Sequence, residues 1–232
     1  VLTAPGGATS PLKALRDPAE AVAEFSPLFR PRAVAIVGAS SSGSNMANFQ
    51  IRRWQDFKFE GAIYPIHPTA SEIEGLPAYP SLAETPEPID YACVVVAAAR
   101  VPEVLSAANG RGRFAQVLSS GFAEVPQGTD LEQQLVDAAK TGGCRLIGPN
   151  CLGVYSPRGR MTFTQQASDI PGPVAIVSQS GGLATDIVTR GKVRGLRVSN
   201  MVTLGNSADV DPSDVLEFLL ADDDTEVIGL YI

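Results

Sequence analysis

Residues 32–45 read RAVAIVGASSSGSN. Val34, Ile36 and Val37 lie in a short apolar run rich in β-branched residues, the pattern of a strand buried on both faces. Gly38 ends the run, and Ser40 to Asn45 lead into a new helical pattern. A strand that stops at glycine and re-enters as a helix leaves the N–H groups of the first turn without internal partners, all aimed at one spot. Glycine lets the backbone approach a ligand closely, and the helix dipole adds positive potential there. The stretch therefore predicts a phosphate cradle carried on a parallel sheet. Spacing alone does not name the ligand. Gly38 and Gly43 have the glycine offset of a P-loop, but Ser44 stands in the place of its lysine, and Ser40 replaces the second glycine of GxGxxG. An ordinary strand-to-helix turn has the same outline. Gly38→Val is expected to abolish binding by blocking backbone approach.

Outward from this stretch, strands and helices alternate. Residues 1–24 form an arm rich in Pro, Gly and Ala, with a short helix over Pro18–Phe25 pinned by Phe25, Leu28 and Phe29. A helix follows over 45–57 and a second strand over 62–66, where Pro65 requires an edge or a strand end. The apolar run 91–98 suits a central parallel strand, and Pro102 and Gly110 bracket a helix. A fourth strand spans 115–119. Thr129 and Glu132 have capping-box spacing at the head of a helix ending at Gly142, and a fifth strand spans 145–148. Five βα units in series imply a doubly wound, Rossmann-like parallel sheet over residues 25–155. Residues 156–172 break the pattern with prolines and polar residues, as a linker does. From 173 the cycle restarts: strand 174–178, a Ser-Gly-Gly turn, a helix to Gly191, strand 198–204, a helix with Asp211 as cap and Pro212 first, and a strand 227–232. The second unit, 173–232, is expected to be incomplete, or completed by something else.

Composition narrows the function. The 232 residues are 44% hydrophobic and 19% charged with a formal net charge of −7, against nucleic acid or an anionic membrane as main partner. Cys93, Cys144 and Cys151 form no CxxC pair, which predicts reduced cytoplasmic thiols, no disulfide frame and no metal site. The chain begins at Val1 without a signal-peptide pattern, so its start is expected to be processed or engineered.

In an open parallel sheet ligands bind beyond the carboxyl ends of the strands. Those ends carry Gly38–Asn45, His67–Thr69, Ala97–Arg100, Ser120–Glu124 and Asn150–Cys151, a backbone-rich collection suited to an extended phosphorylated ligand. A nicotinamide dinucleotide would want a carboxylate after the second strand, where Ile66-His67-Pro68 stands instead. His67, the only histidine, reads as a contact residue rather than a proton carrier, and Cys151 as a structural thiol. Ser178-Gln179-Ser180-Gly181-Gly182 is a second candidate cradle, with Leu204-Gly205-Asn206 at the end of the next strand. Glu217 falls on the apolar side of its helix beside Val215, Phe218 and Leu219. Buried, it would need a cationic partner, and the sequence offers no obvious one.

Six stretches carry a family resemblance: FRPRAVAIVGAS at 29–40, AIYPIHPTASEIEGLPAYPSL at 62–82, SSGFAE at 119–124, RLIGPNCLGV at 145–154, VAIVSQSGGL at 174–183 and VTLGNSADVD at 202–211. In order and spacing, from about residue 25 to the C-terminus, they resemble the NDP-forming acyl-CoA synthetases. That group includes ADP-forming acetyl-CoA synthetase and the succinyl-CoA synthetase α subunit. The resemblance implies a CoA-binding domain followed by a flavodoxin-like ligase domain, truncated here. It implies that Gly38, Ala39, Ser40, Ser42, Gly43, Ser44 and Asn45 hold CoA phosphates. His67, Ala97, Ala98, Ala99, Ser120, Gly121 and Glu124 would line the CoA groove, with Asn150 toward the thiol end. Ser178, Ser180, Gly181 and Gly182 would bind phosphate or phosphohistidine, and Glu217 would steady the phosphorylated histidine. That histidine and the ATP-grasp domain, which binds ATP or ADP with Mg, would lie on a downstream segment or a partner chain. An oligomer is implied, and this chain alone is expected to be inactive. Thr69 stands where the family has lysine, and an alanine within 97–99 replaces its proline. The competing reading is a non-catalytic CoA sensor, as in a multidomain regulator or a protein acetyltransferase.

Overall fold

A strand flanked on both sides by other strands must be apolar on both faces, and β1 (Ala33–Val37) is buried at every position. The computed structural model describes residues 15–232, so residues 1–14 of the expected arm lie outside the described residues. Around β1 the chain lays down β2 (Ala62–Ile66), β5 (Ile89–Val94), β6 (Gly112–Val117) and β7 (Arg145–Ile147) as a parallel sheet in the order β2-β1-β5-β6-β7. β2 is the edge, as Pro65 requires. The crossovers are α2 (Met46–Asp56), α3 (Val101–Ser106) and α4 (Thr129–Gly142). After β2 the chain makes a small hairpin, β3 (Glu72–Ile73) and β4 (Leu76–Pro77), which alternation too short to register did not announce.

The second sheet has the order β11-β9-β10-β8. Its parallel strands are β9 (Val174–Ser178), β10 (Val198–Thr203) and β11 (Val227–Tyr231), joined through α5 (Gly181–Val193) and α6 (Pro212–Leu220). β8 (Gly153–Tyr155) adds antiparallel to β10. Its residues were expected in the first unit, so the chain changes sheets before Gly153. The fold is α/β, a Rossmann-like doubly wound sheet followed by a flavodoxin-like one.

Two local expectations need correction. The capping box at Thr129 and Glu132 does not form: Gly128 occupies the N-cap, and the Glu132 carboxylate accepts from Ala123 N–H instead. The box appears at α6, where Asp211 and Asp214 cap reciprocally. Residues 156–172 are not a loose linker, since Met161, Thr162, Phe163 and Ser168 are buried. Gln50 Nε2 donates to Thr162 O at 2.7 Å and Tyr155 Oη to Ser168 O at 2.7 Å.

The first described helix, α1 (Pro18–Phe29), is capped by Asp17 and runs one turn beyond its expected end. It forms the seam of the molecule. Phe25 meets Phe114 of the first sheet at 5.6 Å, and Phe29 stacks on Phe218 of α6 at 5.0 Å. A single buried cluster therefore runs from Trp54 and Tyr91 through α1 to Val202 and Phe218. No described helix is long and apolar enough to cross a membrane.

Candidate functional site

β1 and its neighbours β2 and β5 are where chain order reverses, and a cavity of about 500 Å³ opens at their carboxyl ends. Gly38, Ala39, Ser40, His67, Leu82, Ala97 and Arg100 are among its lining residues. Its walls are largely aliphatic, as a base or pantetheine chain requires.

The loop from β1 to α2 is built by asparagines. Asn45 caps α2 by accepting from Asn48 N–H and donates from Nδ2 to Gly38 O at 2.9 Å. Asn48, fully buried, accepts from Ser40 N–H at 2.8 Å and donates to Ser40 O and Glu74 Oε1. Both side chains shape the loop, Asn45 spending its Oδ1 on Asn48 N–H and one Nδ2 hydrogen on Gly38 O. The donors that face outward are the N–H groups opening α2, with the Ser40 and Ser42 hydroxyls, 2.8 Å apart, beside them. Gly43 takes a φ of +73°, which closes the turn onto Ser40 O at 3.2 Å. Gly38 has a different reason to be glycine. A Cβ there would lie 2.2 Å from Val95 O, so Gly38→Val would break the packing of β1 on β5 and does not isolate a ligand contact.

His67 Nδ1 accepts from Thr69 N–H at 3.2 Å and Ala70 N–H at 3.0 Å. The ring proton is thereby placed on Nε2, free for a ligand in the cavity. Arg100 was missed as a site residue, although its place at a strand exit before Val-Pro was a signal. It is the one described arginine whose side chain makes neither a hydrogen bond nor an ion pair with protein, and it stands on the cavity rim.

Ser42 to Asn45 lie on the loop beside this cavity and not in its lining, and Ala98, Ala99, Ser120, Gly121, Glu124 and Asn150 are not brought into it. Ala98 backs Gly121 instead, 3.4 Å from where a Cβ would stand. Glu124 folds back to accept from Gly121 and Phe122 N–H and from Asn206 Nδ2 at 2.7 Å. Burial works to raise its pKa, but these donors outweigh it and hold the carboxyl below its ordinary value. Asn150, with a φ of +58°, donates its N–H to Ser119 O at 3.1 Å.

Cys151 Sγ rests 3.5 Å from Ile147 O, and Gln116 Nε2 donates to Cys151 O at 2.7 Å. Burial pushes the Cys151 thiol up to about 12, so it stays protonated and is no nucleophile.

The second cradle lies across the seam. Ser180 caps α5, accepting from Leu183 N–H at 3.2 Å, and Ser178 Oγ donates to Ser180 O at 2.9 Å. The N–H groups of Gly181 and Gly182 open the helix without internal acceptors. A Cβ on Gly181 would strike Leu152 at 2.8 Å, whereas one on Gly182 would meet only Ser180 Oγ, at 3.9 Å. The strand ends interlock here: Leu204 N–H donates to Ser178 O, Gly205 N–H to Gln179 O and Asn206 N–H to Pro149 O. Glu217 is buried, and it does have a cationic partner. Arg16 Nε lies 3.1 Å from Oε2, an ion-pair contact off the N–H axis, so that oxygen accepts no hydrogen bond. The partner comes from the arm, about which residue spacing is silent. Among the described residues no His, Cys, Asp and Glu group could hold a metal ion.

An open parallel sheet with an amide-lined loop beside an apolar cavity at its switch point defines a nucleotide- or coenzyme-binding α/β protein. Residues 32–157 match the CoA binding domain, and residues 171–232 the succinyl-CoA ligase like flavodoxin domain. The chain is 35% identical over 212 residues to the α subunit of acetate–CoA ligase [ADP-forming] I from Pyrococcus furiosus, covering 88% of this chain and 46% of that one. It is 38% identical over 209 residues to acetate–CoA ligase [ADP-forming] I from Archaeoglobus fulgidus, covering 88% and 30%. Among solved structures, the dinucleotide forming acetyl-coenzyme A synthetase 1 of Ca. Korarchaeum cryptofilum, in complex with phosphate and ADP, superposes with a TM-score of 0.84 at 36% identity, covering 90% of this chain and 45% of that one. The chain belongs to the CoA-binding domain family and, through its two halves together, to the NDP-forming acyl-CoA synthetases. It spans less than half the length of these relatives.

Proposed function

We propose that this chain is the CoA- and phosphate-binding part of an acid–thiol ligase. In that reaction acyl-CoA and phosphate exchange to give acyl phosphate and free CoA. The phosphoryl group then passes through a histidine to a nucleoside diphosphate held with Mg on an ATP-grasp domain. The observation that carries the reading is the meeting of two sets of strand ends: the Ser178–Gly182 cradle and the Pro149–Asn150 turn are bonded through residues 204–206. A carrier thiol emerging by Asn150 would face a phosphate held on the Gly181 and Gly182 amides, where the helix dipole stabilises negative charge by up to about 2 kcal/mol. The β1–α2 amides and serine hydroxyls would hold the CoA phosphates. His67 Nε2 and Arg100 would supply further donors, Arg100 in place of the lysine that Thr69 does not provide.

In this reading, the histidine and the ATP-grasp region belong to a partner domain or subunit, and Glu217 would meet that histidine after release from Arg16. Three buried, unpaired thiols support a reducing, cytoplasmic setting. The test is thermal. At a hundredfold excess over Kd, CoA stabilises the fold by about 2.7 kcal/mol, a rise in Tm of about 5 °C or more, while NAD at the same concentration gives none. An equal rise with NAD, or no rise with CoA, would refute the assignment.

A further inference from the structure

One side chain fastens the turn after β10 to the loop after β6. Asn206 Nδ2 lies 2.7 Å from Glu124 Oε2 and 2.7 Å from Glu132 Oε2, so its two amide hydrogens have separate carboxylate acceptors. Each carboxylate is in turn tied to the loop: Glu124 accepts from Gly121 and Phe122 N–H, and Glu132 from Ala123 N–H at 3.2 Å. The main chain around Asn206 is anchored on its other side. Gly205 N–H donates to Gln179 O at 3.2 Å, Asn206 N–H to Pro149 O at 3.0 Å and Ala208 N–H to Gly148 O at 2.9 Å. Residues 205–208 therefore touch the phosphate cradle, the Pro149–Asn150 turn and the 120–124 loop at once. A βα junction such as 120–124 would ordinarily present its amides to an anion. Here the Glu124 carboxylate occupies them, and the loop is committed to holding Asn206. Two carboxylates brought to one point repel each other unless a donor stands between them, so loss of the amide opens the clasp.

We propose that Asn206 is a positioning residue whose clasp on Glu124 and Glu132 couples occupancy of the Ser178–Gly182 cradle to occupancy of the CoA groove. The inference rests on the function proposed above. Phosphate on the Gly181 and Gly182 amides orders the Gln179–Gly205 pair. The clasp extends that order through residues 120–124 to the wall of the CoA cavity, where Ser119 Oγ donates to Val96 O and Ala98 backs Gly121 beside the lining residues Val96 and Ala97, so CoA meets a wall whose freedom is already spent. By linkage CoA tightens phosphate to the same degree.

The test is calorimetric titration of the chain with CoA, in the absence and presence of saturating inorganic phosphate. In the unsubstituted chain phosphate lowers the CoA Kd about fivefold or more. In Asn206→Ala, and in Asn206→Asp, which keeps the shape but sets a third carboxylate against two, the ratio falls to about 1. Glu132→Ala, which removes one acceptor from the first turn of α4, lowers the ratio as well and stands in for any Asn206 variant without a melting transition. A ratio that survives these substitutions overturns the coupling role. So does CoA binding that ignores phosphate in the unsubstituted chain, a result that leaves the CoA site itself standing. Absence of any CoA binding removes the site and the inference together.

Discussion

Arg100 illustrates how little charge this site needs. The loop donors are backbone amides and hydroxyls, and the one unpaired described guanidinium stands at the cavity rim. Arg100→Ala is expected to raise the CoA Kd about 5–10-fold at low ionic strength and less at high salt, because an exposed charge is screened. Titrations at two salt concentrations measure both. On the phosphate side, Gly182 is the position where a Cβ fits without a clash, its one neighbour being Ser180 Oγ at 3.9 Å. Gly182→Val should abolish phosphate binding, read by calorimetry, with a small effect on Tm. Position 181 offers no such test, since a side chain there meets Leu152 first.

At the scale of an element, the β1–α2 loop is a hydrogen-bonded object before it is a binding site. Asn48 has no exposure and four polar contacts, to Ser40 N–H, Ser40 O, Glu74 Oε1 and, through its own N–H, Asn45 Oδ1. Asn48→Ala would leave the Ser40 N–H unpaired and Ser40 O with the Gly43 N–H alone, and should cost about 2 kcal/mol, seen as a lower denaturant midpoint. The β3–β4 hairpin contributes through Glu74, which also takes Arg52 Nη1 at 2.7 Å while Arg52 Nη2 donates to Gly43 O. The hairpin that sequence periodicity did not reveal thus braces the loop it revealed best.

At the scale of the molecule, the two sheets are held by α1 and by a charge cluster beneath it. Arg145, at the start of β7, pairs with Asp209, Asp214 and Glu24, and Arg16 pairs with Glu24, Asp214 and Glu217. Arg145→Ala leaves three carboxylates, Asp214 nearly buried among them, to share Arg16. It should cost about 3 kcal/mol in chemical denaturation. The buried thiols set an alkaline limit. Burial pushes Cys151 from 9.0 to about 12 and Cys144 from 9.0 to about 11. Above pH 9.0 the unfolded chain loses protons that the folded chain keeps, so stability is full below 9.0 and falls as pH rises toward 12. By about pH 10.5 each thiol accounts for about 2 kcal/mol, measurable as a falling urea midpoint.

Residue order alone determined the alternation of strands and helices, the strand end or edge that Pro65 demands, and the two glycine-bearing junctions. These follow from periodicities of a few residues and from steric rules that act within one turn. Only the tertiary structure decided what each junction has left to offer a ligand. Asn45 and Glu124, plausible ligand groups in sequence, turn their side chains to Gly38, Asn48, Gly121 and Asn206. Gly153–Tyr155 joined the second sheet because its free partner edge was β10. Glu217 found its cation in Arg16, about two hundred residues away. No local pattern encodes such pairings, since they depend on how two sheets pack around α1 and which polar groups that packing leaves in need of a partner.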